Sequence, residues 1–521
     1  MSLTQVCARE RGWSEVRDTW QVAIGSAAVG LAVAVAAVAV TGPWDSGQRT
    51  AERVRAASWE RGGGVGHGGA GAPAGPDPAA APEVLTALGA ARDAGRDAGG
   101  DAGGSAEGND TVPGDNAAPG RGEAPVPTRA ALAGALEPLL EDLGDDVLGT
   151  LRTASVVDVA TGRQLYGTKS DRAVVPASTV KIATAVAALS ATGPDHRIPT
   201  RVVWDARHER VFLIGGGDPT VTRAQLRRLA DATARELAAR GARRTGVAYD
   251  VSLYSGPDLH PIGVNENIAR LTPLMVNEGR LDGSTHGPAP RAADPAAAAA
   301  RLFADLLRDR GVRVDGSPRA RRAPRSSEKG VEELAVHRSA PMAELVERMM
   351  MNSDNDIAEA LVRQVAIVRG EPVSSAGARR AVRDELAEQG KRLNLRGARF
   401  SDGSGLDRDD RVSAELLTGL LALAADPDRP ELRPVLTGLP VARFTGTLSG
   451  RYDEDVTHHG AGVIRAKTGT LTGINTLAGT VVNADGRLLA FAFTASGTTD
   501  RQGAHDALDR LAAALADCGC R

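Results

Sequence analysis

Lysine is scarce in this chain of 521 residues: of its 62 Lys and Arg residues only five are lysine, at positions 169, 181, 329, 391 and 467. Aromatic residues make up 3%, and the net charge is −3 with both signs spread along the chain. A nucleic-acid surface needs clustered cations and stacking platforms, so composition excludes nucleic acid as a partner. Three cysteines, Cys7, Cys518 and Cys520, are too few for a disulfide framework, and none stands at a zinc-binding spacing. Cys518 and Cys520 sit too close for an unstrained bridge and read as a frayed tail. Two hydrolytic signatures are missing, the Gly-x-Ser-x-Gly elbow and His-Glu-x-x-His. The adjacent pair His458-His459 reads as loop rather than metal site.

Charge is also absent locally. After a short N-terminal segment (1–21, read as cytoplasmic), Val22 to Val40 runs 19 residues without a charge, bracketed by Trp20 and Trp44. At about 1.5 Å per residue that helix covers roughly 28 Å, close to a bilayer core. Residues 22–41 are therefore expected to be a single-pass membrane anchor, with the catalytic part outside the cell. A cleaved secretion signal is the alternative, with Ala37-Val38-Ala39 as one possible site. Residues 45–125 collapse to Gly, Ala, Pro and Asp, as in "RGGGVGHGGAGAPAGPDPAAAP". So few large apolar groups cannot offset chain entropy, so the segment reads as a disordered linker.

Order is expected from about Pro127. "LGTLRTASVVDVATGRQLYGT" (148–168) holds two strand-like runs around a turn at Ala160–Gly162. A helix opens near Ser178. "TRVVWDARHERVFLIGGGDPT" predicts another hairpin, "TRAQLRRLADATARELAARG" an amphipathic helix ending at Gly241, and "RTGVAYDVSLY" a strand. Residues 294–316 predict a further helix and strand, and 317–330 a charged, proline-punctuated link. From 339 to 370 two helices are broken at Asn352–Asn355, with Ser339 as the expected N-cap. Near the C-terminus, "GVIRAKTGT", "GINTLAGTVVN" and "RLLAFAFTASG" predict strands, and 504–517 a closing helix. Strands at both ends with helices between indicate an α+β fold whose antiparallel sheet is closed by the N- and C-terminal segments.

One of the five lysines stands inside the apolar run "VVPASTVKIATAVAAL" (174–189), three residues after Ser178. Positions i and i+3 share a helix face, so the Lys181 amine can reach the Ser178 hydroxyl. Burial lowers a lysine pKa, and the neutral amine can take the serine proton; arginine stays protonated and could not. Ser-x-x-Lys alone is weak, and a second copy, Ser326 to Lys329, lies in the charged link. Two further elements make the pattern specific: Ser353-Asp354-Asn355 at the break between two helices, and Lys467-Thr468-Gly469 on a late strand. The trio Ser-x-x-Lys, Ser-Asp-Asn and Lys-Thr-Gly is a signature of penicillin-binding proteins and class A β-lactamases. In that chemistry Ser178 forms an acyl-enzyme, Lys181 activates it, Ser353 passes a proton to the leaving amine and Asn355 holds Lys181 or the substrate amide. Lys467 and Thr468 suit a terminal carboxylate and Gly469 permits close approach. The N–H groups of Ser178 and Thr470 would form the oxyanion hole.

On these residues the chain resembles the class C penicillin-binding proteins of the D-Ala-D-Ala carboxypeptidase/endopeptidase type, over roughly Ala130 to Ala516. The 171 residues between Lys181 and Ser353 leave room for an inserted module, and "FLIGGGDPT" (212–220) and "VAYDVSLYSGP" (247–257) look like strands of that branch's insert. "SDGSGLDRDDRVSA" (401–414) is similar to the segment these enzymes carry before the Lys-Thr-Gly strand; beyond a tight turn near the site, no role for Asp402–Leu406 follows from the residues. The resemblance implies a β-lactamase/transpeptidase-like domain (126–200 and 326–521), an antiparallel sheet flanked by helices, with an inserted α/β module (201–325). It implies hydrolysis of peptidoglycan stem peptides ending in D-Ala-D-Ala, needing neither a metal nor a cofactor, with cross-links as a further substrate, and β-lactams as acylating inhibitors. Two rivals are a β-lactamase and a catalytically silent peptidoglycan-binding protein. The first lacks a Glu-x-x-Leu-Asn segment, to which Ala414–Gly419 comes closest, and the second has no need of both lysines.

Overall fold

The computed structural model describes residues 124–142, 147–390 and 393–519. The expected anchor, nearly all of the linker, Cys7 and Cys520 lie outside the described residues. Helix α1 (Arg129–Asp142) buries Leu132, Leu136 and Leu140, a stripe at four-residue spacing. Strands β1 (Leu151–Asp158) and β2 (Gln164–Thr168) form the expected hairpin, with Gly162 at φ +68° in its turn. The nucleophile segment then starts as a 3₁₀ turn, Ala177–Val180, and becomes α-helical only at Lys181, where α2 (Lys181–Thr192) begins. Every residue of α2 from Lys181 to Leu189 is buried. A helix that is small and apolar all round belongs in the core, and its alanines let neighbouring helices approach closely.

The inserted module is a second five-stranded sheet, ordered β6-β5-β4-β3-β7. Its elements are β3 (Pro199–Asp205), β4 (Arg210–Ile214), α3 (Arg223–Ala239), β5 (Arg244–Asp250), α4 (Pro295–Arg308), β6 (Arg313–Ala320) and β7 (Val331–Arg338). The pairs β4–β5 and β5–β6 are parallel, crossed over by α3 and α4, while β3 pairs antiparallel with β4 and β7. A Thr222–Gln225 capping box starts α3, and Asp294 caps α4 ahead of Pro295. The sheet therefore extends past the expected 201–325 boundaries on both sides. Part of the expected link, Ser317–Ala320, is edge strand, and β7 lies wholly beyond it. The link's Ser326–Lys329 is an exposed turn with no helix face, as its charge suggested.

The module leaves and rejoins the rest of the chain at one place. Ile198 N–H donates to Ser339 Oγ (2.8 Å), and Ser339 N–H donates to the Ile198 carbonyl (2.9 Å). Ser339 is thus not a helix cap: α5 (Met342–Asn352) has Pro341 at its cap position without a side-chain bond, and the Ser339 hydroxyl serves the junction instead.

Helices α6 (Asn355–Val368), α7 (Ser375–Glu388) and α8 (Ala414–Ala424) follow. Then come β8 (Ile464–Leu471), β9 (Ile474–Val482), β10 (Leu488–Ser496) and α9 (Arg501–Asp517). The main sheet is ordered β2-β1-β10-β9-β8 and is antiparallel throughout, so first and last strands pair as expected. Alternation sorts its side chains: Ala478, Ala490 and Ala492 face the layer of α2, α5, α6, α7 and α8, while Leu477, Leu489, Phe491 and Phe493 pack towards α1 and α9. Buried Arg487 clamps Asp158 through two bonds of 2.6 and 2.8 Å, tying β1 to the turn before β10. As far as residue 519 the chain is described, and Cys518 does not fit the expectation of a frayed tail. Cys518 is buried and disulfide-bonded, and its carbonyl accepts from Asn483 Nδ2 at 3.0 Å.

Candidate active site

Ala177 has φ +46°, a conformation that costs a non-glycine residue about 1–3 kcal/mol and is held only by its surroundings. The holding groups are nearby. The Pro176 carbonyl accepts from Thr179 Oγ1 (2.6 Å) and from Thr476 Oγ1 of β9 (2.9 Å), so the turn is fastened both to its own helix and to the sheet. The Ser178 hydroxyl thereby stands at the rim of a cavity, and one helical turn on Lys181 is fully buried beneath it. Lys181 Nζ lies 3.1 Å from Ser178 Oγ and donates to Asn355 Oδ1 (2.7 Å) and to the Ser404 carbonyl (2.5 Å). Burial brings its pKa down to about 8, against the opposing pull of Asp402, Asp354, Glu359 and Asp410.

The Ser-Asp-Asn triplet is both helix break and functional edge. Ser353 is the left-handed C-cap of α5 (φ +56°), and Asp354 caps α6 by accepting from the Ile357 N–H at 3.0 Å. Ser353 and Asn355 are left facing the cavity, on either side of the capping residue. Lys467 is also fully buried and donates to Ser353 Oγ (2.9 Å) and to the Thr468 carbonyl (2.8 Å). Burial and the nearby Lys181 push its pKa down as well.

Gly469 is required by close approach. A Cβ there would fall on the Thr476 hydroxyl and come within 2.9 Å of the Pro176 carbonyl and 3.0 Å of the Ser178 nitrogen. The backbone of β8 therefore runs against the nucleophile's amide, and Thr468 and Thr470 line the cavity beside it. Thr468 Oγ1 donates to Thr447 Oγ1 at 2.9 Å, and Thr470 Oγ1 bonds His505 Nε2 of α9 at 3.0 Å. All eight residues singled out in the sequence thus converge: Ser178, Ser353, Asn355, Thr468 and Thr470 on the cavity, Lys181, Lys467 and Gly469 directly behind it. His458 and His459 lie on an exposed 3₁₀ turn away from these residues' contacts.

Several residues of the site carry no motif. The Asp402–Leu406 segment is more than a tight turn, because its Ser404 carbonyl bonds Lys181. Gly405 packs so closely on the Ala177 carbonyl that a Cβ would overlap it. From the irregular stretch 251–294 of the module, Asn267, Arg280 and Arg291 reach the cavity, whose volume is about 260 Å³. Behind them Glu278, Asp354 and Asp356 form a buried cluster with Arg280, Arg291 and Arg348. Burial, with Asp354 close by, raises Glu278 to about 8; Asp356 is raised to about 7, again by burial first.

The sequence profile of the D-Ala-D-Ala carboxypeptidase 3 (S13) family matches residues 132–286 and 272–516, both halves of the catalytic body and the module between them. The chain belongs to that family. A carboxypeptidase of Mycobacterium tuberculosis is 36% identical over 77% of this chain and 88% of its own length. Carboxypeptidase DacB of Mycolicibacterium smegmatis is 38% identical over 76% and 86%. Among solved structures, penicillin binding protein 4 of Haemophilus influenzae superposes with a TM-score of 0.59 at 22% identity, over 73% of this chain and 97% of that one, and shares the fold. This S13 enzyme is a class C penicillin-binding protein and a serine-type D-Ala-D-Ala carboxypeptidase.

Proposed function

We propose that this S13 carboxypeptidase cleaves the terminal D-Ala from peptidoglycan stem peptides through an acyl-Ser178 intermediate, with Lys181 as base. One observation carries the assignment: a buried amine with its pKa near 8 stands 3.1 Å from the serine hydroxyl. Neutral Lys181 takes the Ser178 proton as Oγ attacks the carbonyl of the penultimate D-Ala. The N–H groups of Ser178 and Thr470 face the oxyanion; losing one such donor typically costs about 10²–10³ in rate. Ser353 passes its hydroxyl proton to the departing D-Ala nitrogen and takes one in its place from Lys467, which donates to its oxygen. Water then hydrolyses the ester and restores Ser178. Lys467 and Thr468 receive the terminal carboxylate. An arriving carboxylate favours the charged form of Lys467, and that charge disfavours a second cation on Lys181. Binding of the right substrate thus promotes the neutral base.

Intact mass of the protein mixed with penicillin, beside Ser178→Ala, tests the reading. A single adduct on the parent alone, with D-Ala released from a stem-peptide substrate, supports it; no adduct with the drug left intact refutes it, and rapid loss of the drug instead favours the β-lactamase rival. We also assign residues 22–41 as a single-pass anchor placing the enzyme outside the cell, on the strength of 19 uncharged residues between two tryptophans. Cell fractionation with the mass of the mature N-terminus distinguishes that from a cleaved signal. Among the described residues no helix is long and apolar enough to cross a membrane.

A further inference from the structure

A neutral amine has two N–H donors and one lone pair. The bonds from Lys181 to Asn355 Oδ1 and to the Ser404 carbonyl use both donors, and the lone pair is left for the Ser178 hydroxyl. Those two acceptors therefore aim the base. Both are held by one short stretch of the inserted module. Asn355 Nδ2 donates to the main-chain carbonyl of Asn267 at 3.0 Å, which turns Oδ1 towards Lys181.

The Ser404 carbonyl depends on Asp402. Asp402 Oδ1 accepts from the N–H groups of Ser404 (3.0 Å) and Gly405 (2.6 Å). Its Oδ2 accepts from the Asp407 N–H (2.7 Å) and the Ser404 hydroxyl (3.0 Å). Glu359 of α6 holds the Gly403 and Ser404 N–H groups from the other side. The one partner of Asp402 from the module is His260, whose Nε2 lies 2.9 Å from Oδ2. The two side chains are 2% and 3% exposed, so with the imidazole in place Asp402 is shielded from water. The Ile262 N–H points at His260 Nδ1 (3.4 Å), which leaves Nε2 as the nitrogen that donates to Asp402.

We propose that His260 is a positioning residue for acylation. Through Asp402 it fixes the Ser404 carbonyl, while the Asn267 carbonyl seven residues on fixes Asn355, so the inserted module aims the lone pair of Lys181 at Ser178. This rests on Lys181 being the base. It gives the module a part in the chemical step, apart from any contact it makes with substrate.

The test uses the full chain and a fluorescent penicillin, with stopped-flow traces over a concentration series separating the pre-covalent dissociation constant from the acylation rate constant. His260→Gln places an amide nitrogen where Nε2 stands and keeps a donor to Asp402; His260→Leu keeps volume and removes the donor. The expected result is a loss of about 10- to 100-fold in the acylation rate constant for His260→Leu, the scale of a small misplacement of a reacting group. The dissociation constant stays unchanged, and His260→Gln keeps most of the rate. Should His260→Leu lose its cooperative thermal transition, His260→Asn, whose shorter amide stops short of Asp402, takes its place with the same expectation. The proposal is overturned if the donor-less variant acylates like the parent, if only its dissociation constant changes, or if the Gln variant falls as far. A parent that forms no adduct at Ser178 would instead refute the role of Lys181 itself.

Discussion

Raising the pH from 6 to 9 titrates Lys181, whose burial sets its pKa near 8. Its neutral fraction is then about 0.01 at pH 6, about 0.5 at pH 8 and about 0.9 at pH 9. If the neutral amine is the base, the acylation rate constant rises about 50-fold from pH 6 to pH 8 and less than about twofold beyond. A lysine at the ordinary 10.5 would be about 0.03% neutral at pH 7 against about 9% here, a difference of about 300-fold or about 3 kcal/mol. Two neighbours titrate in the same window, Asp356 near 7 and Glu278 near 8. Glu278→Gln removes one of them. The assay is labelling by a fluorescent penicillin, quenched at intervals, at constant ionic strength, on the parent and on Glu278→Gln. A rise of about ninefold from pH 6 to 7 and about fivefold from pH 7 to 8 in both proteins is the expected result. A flat profile from pH 6 to 8 in both would refute a base that titrates near 8. A slope that vanishes in Glu278→Gln alone would place the titration in the carboxylate cluster.

Lys181→Arg keeps a cation of similar reach that cannot deprotonate, so acylation should fall by about 10²–10⁴ and its pH dependence should disappear. Gly469→Ala drives a Cβ into the buried Thr476 hydroxyl and the Pro176 carbonyl, so labelling should drop at least about 10²-fold and urea unfolding should show a loss of about 1–3 kcal/mol. Arg487→Ala leaves the buried Asp158 carboxylate without a counter-charge and with only its bonds from Thr161; urea unfolding should show a loss of about 3–5 kcal/mol with no change in penicillin labelling of the folded fraction. Asp158 is costly to bury, yet its bonds from Arg487 hold its carboxyl below the ordinary 3.8. The parent should therefore keep this stability above pH 4 and lose it as acid protonates Asp158, whereas the Arg487→Ala variant should show a shallower acid transition.

The catalytic trio is readable because each piece announces itself locally. Lys181 is one of five lysines and sits on an apolar helix; Ser353-Asp354-Asn355 stands at a helix break; Gly469 interrupts a β-branched strand. The strands of the main sheet show period-two alternation with turn residues between them, so they too are legible. The Ser404 carbonyl is not, since a main-chain atom leaves no trace in residue type. His260 and Asn267 touch partners 142 and 88 residues away, and nothing in their own neighbourhood marks them. β7 escapes notice because it is an edge strand with only Leu334 buried, and its Glu and His residues mimic a link. Ser339 before Pro341 has the look of a helix cap, but a cap and a junction clasp use the same hydroxyl.

That clasp bears on descent. Where Ile198 and Ser339 bond each other, a gene can gain, lose or exchange everything between them without displacing α2 or α5, because the points of departure and return are neighbours. The body left behind keeps its nucleophile, both lysines and the strand that lines the cleft. What it forfeits is the outside grip on Asn355 and Asp402. Lineages that trade modules at this junction are thus expected to share one acylating serine while differing in how sharply its base is tuned, with innovation confined to the exchangeable cassette and the reaction inherited intact.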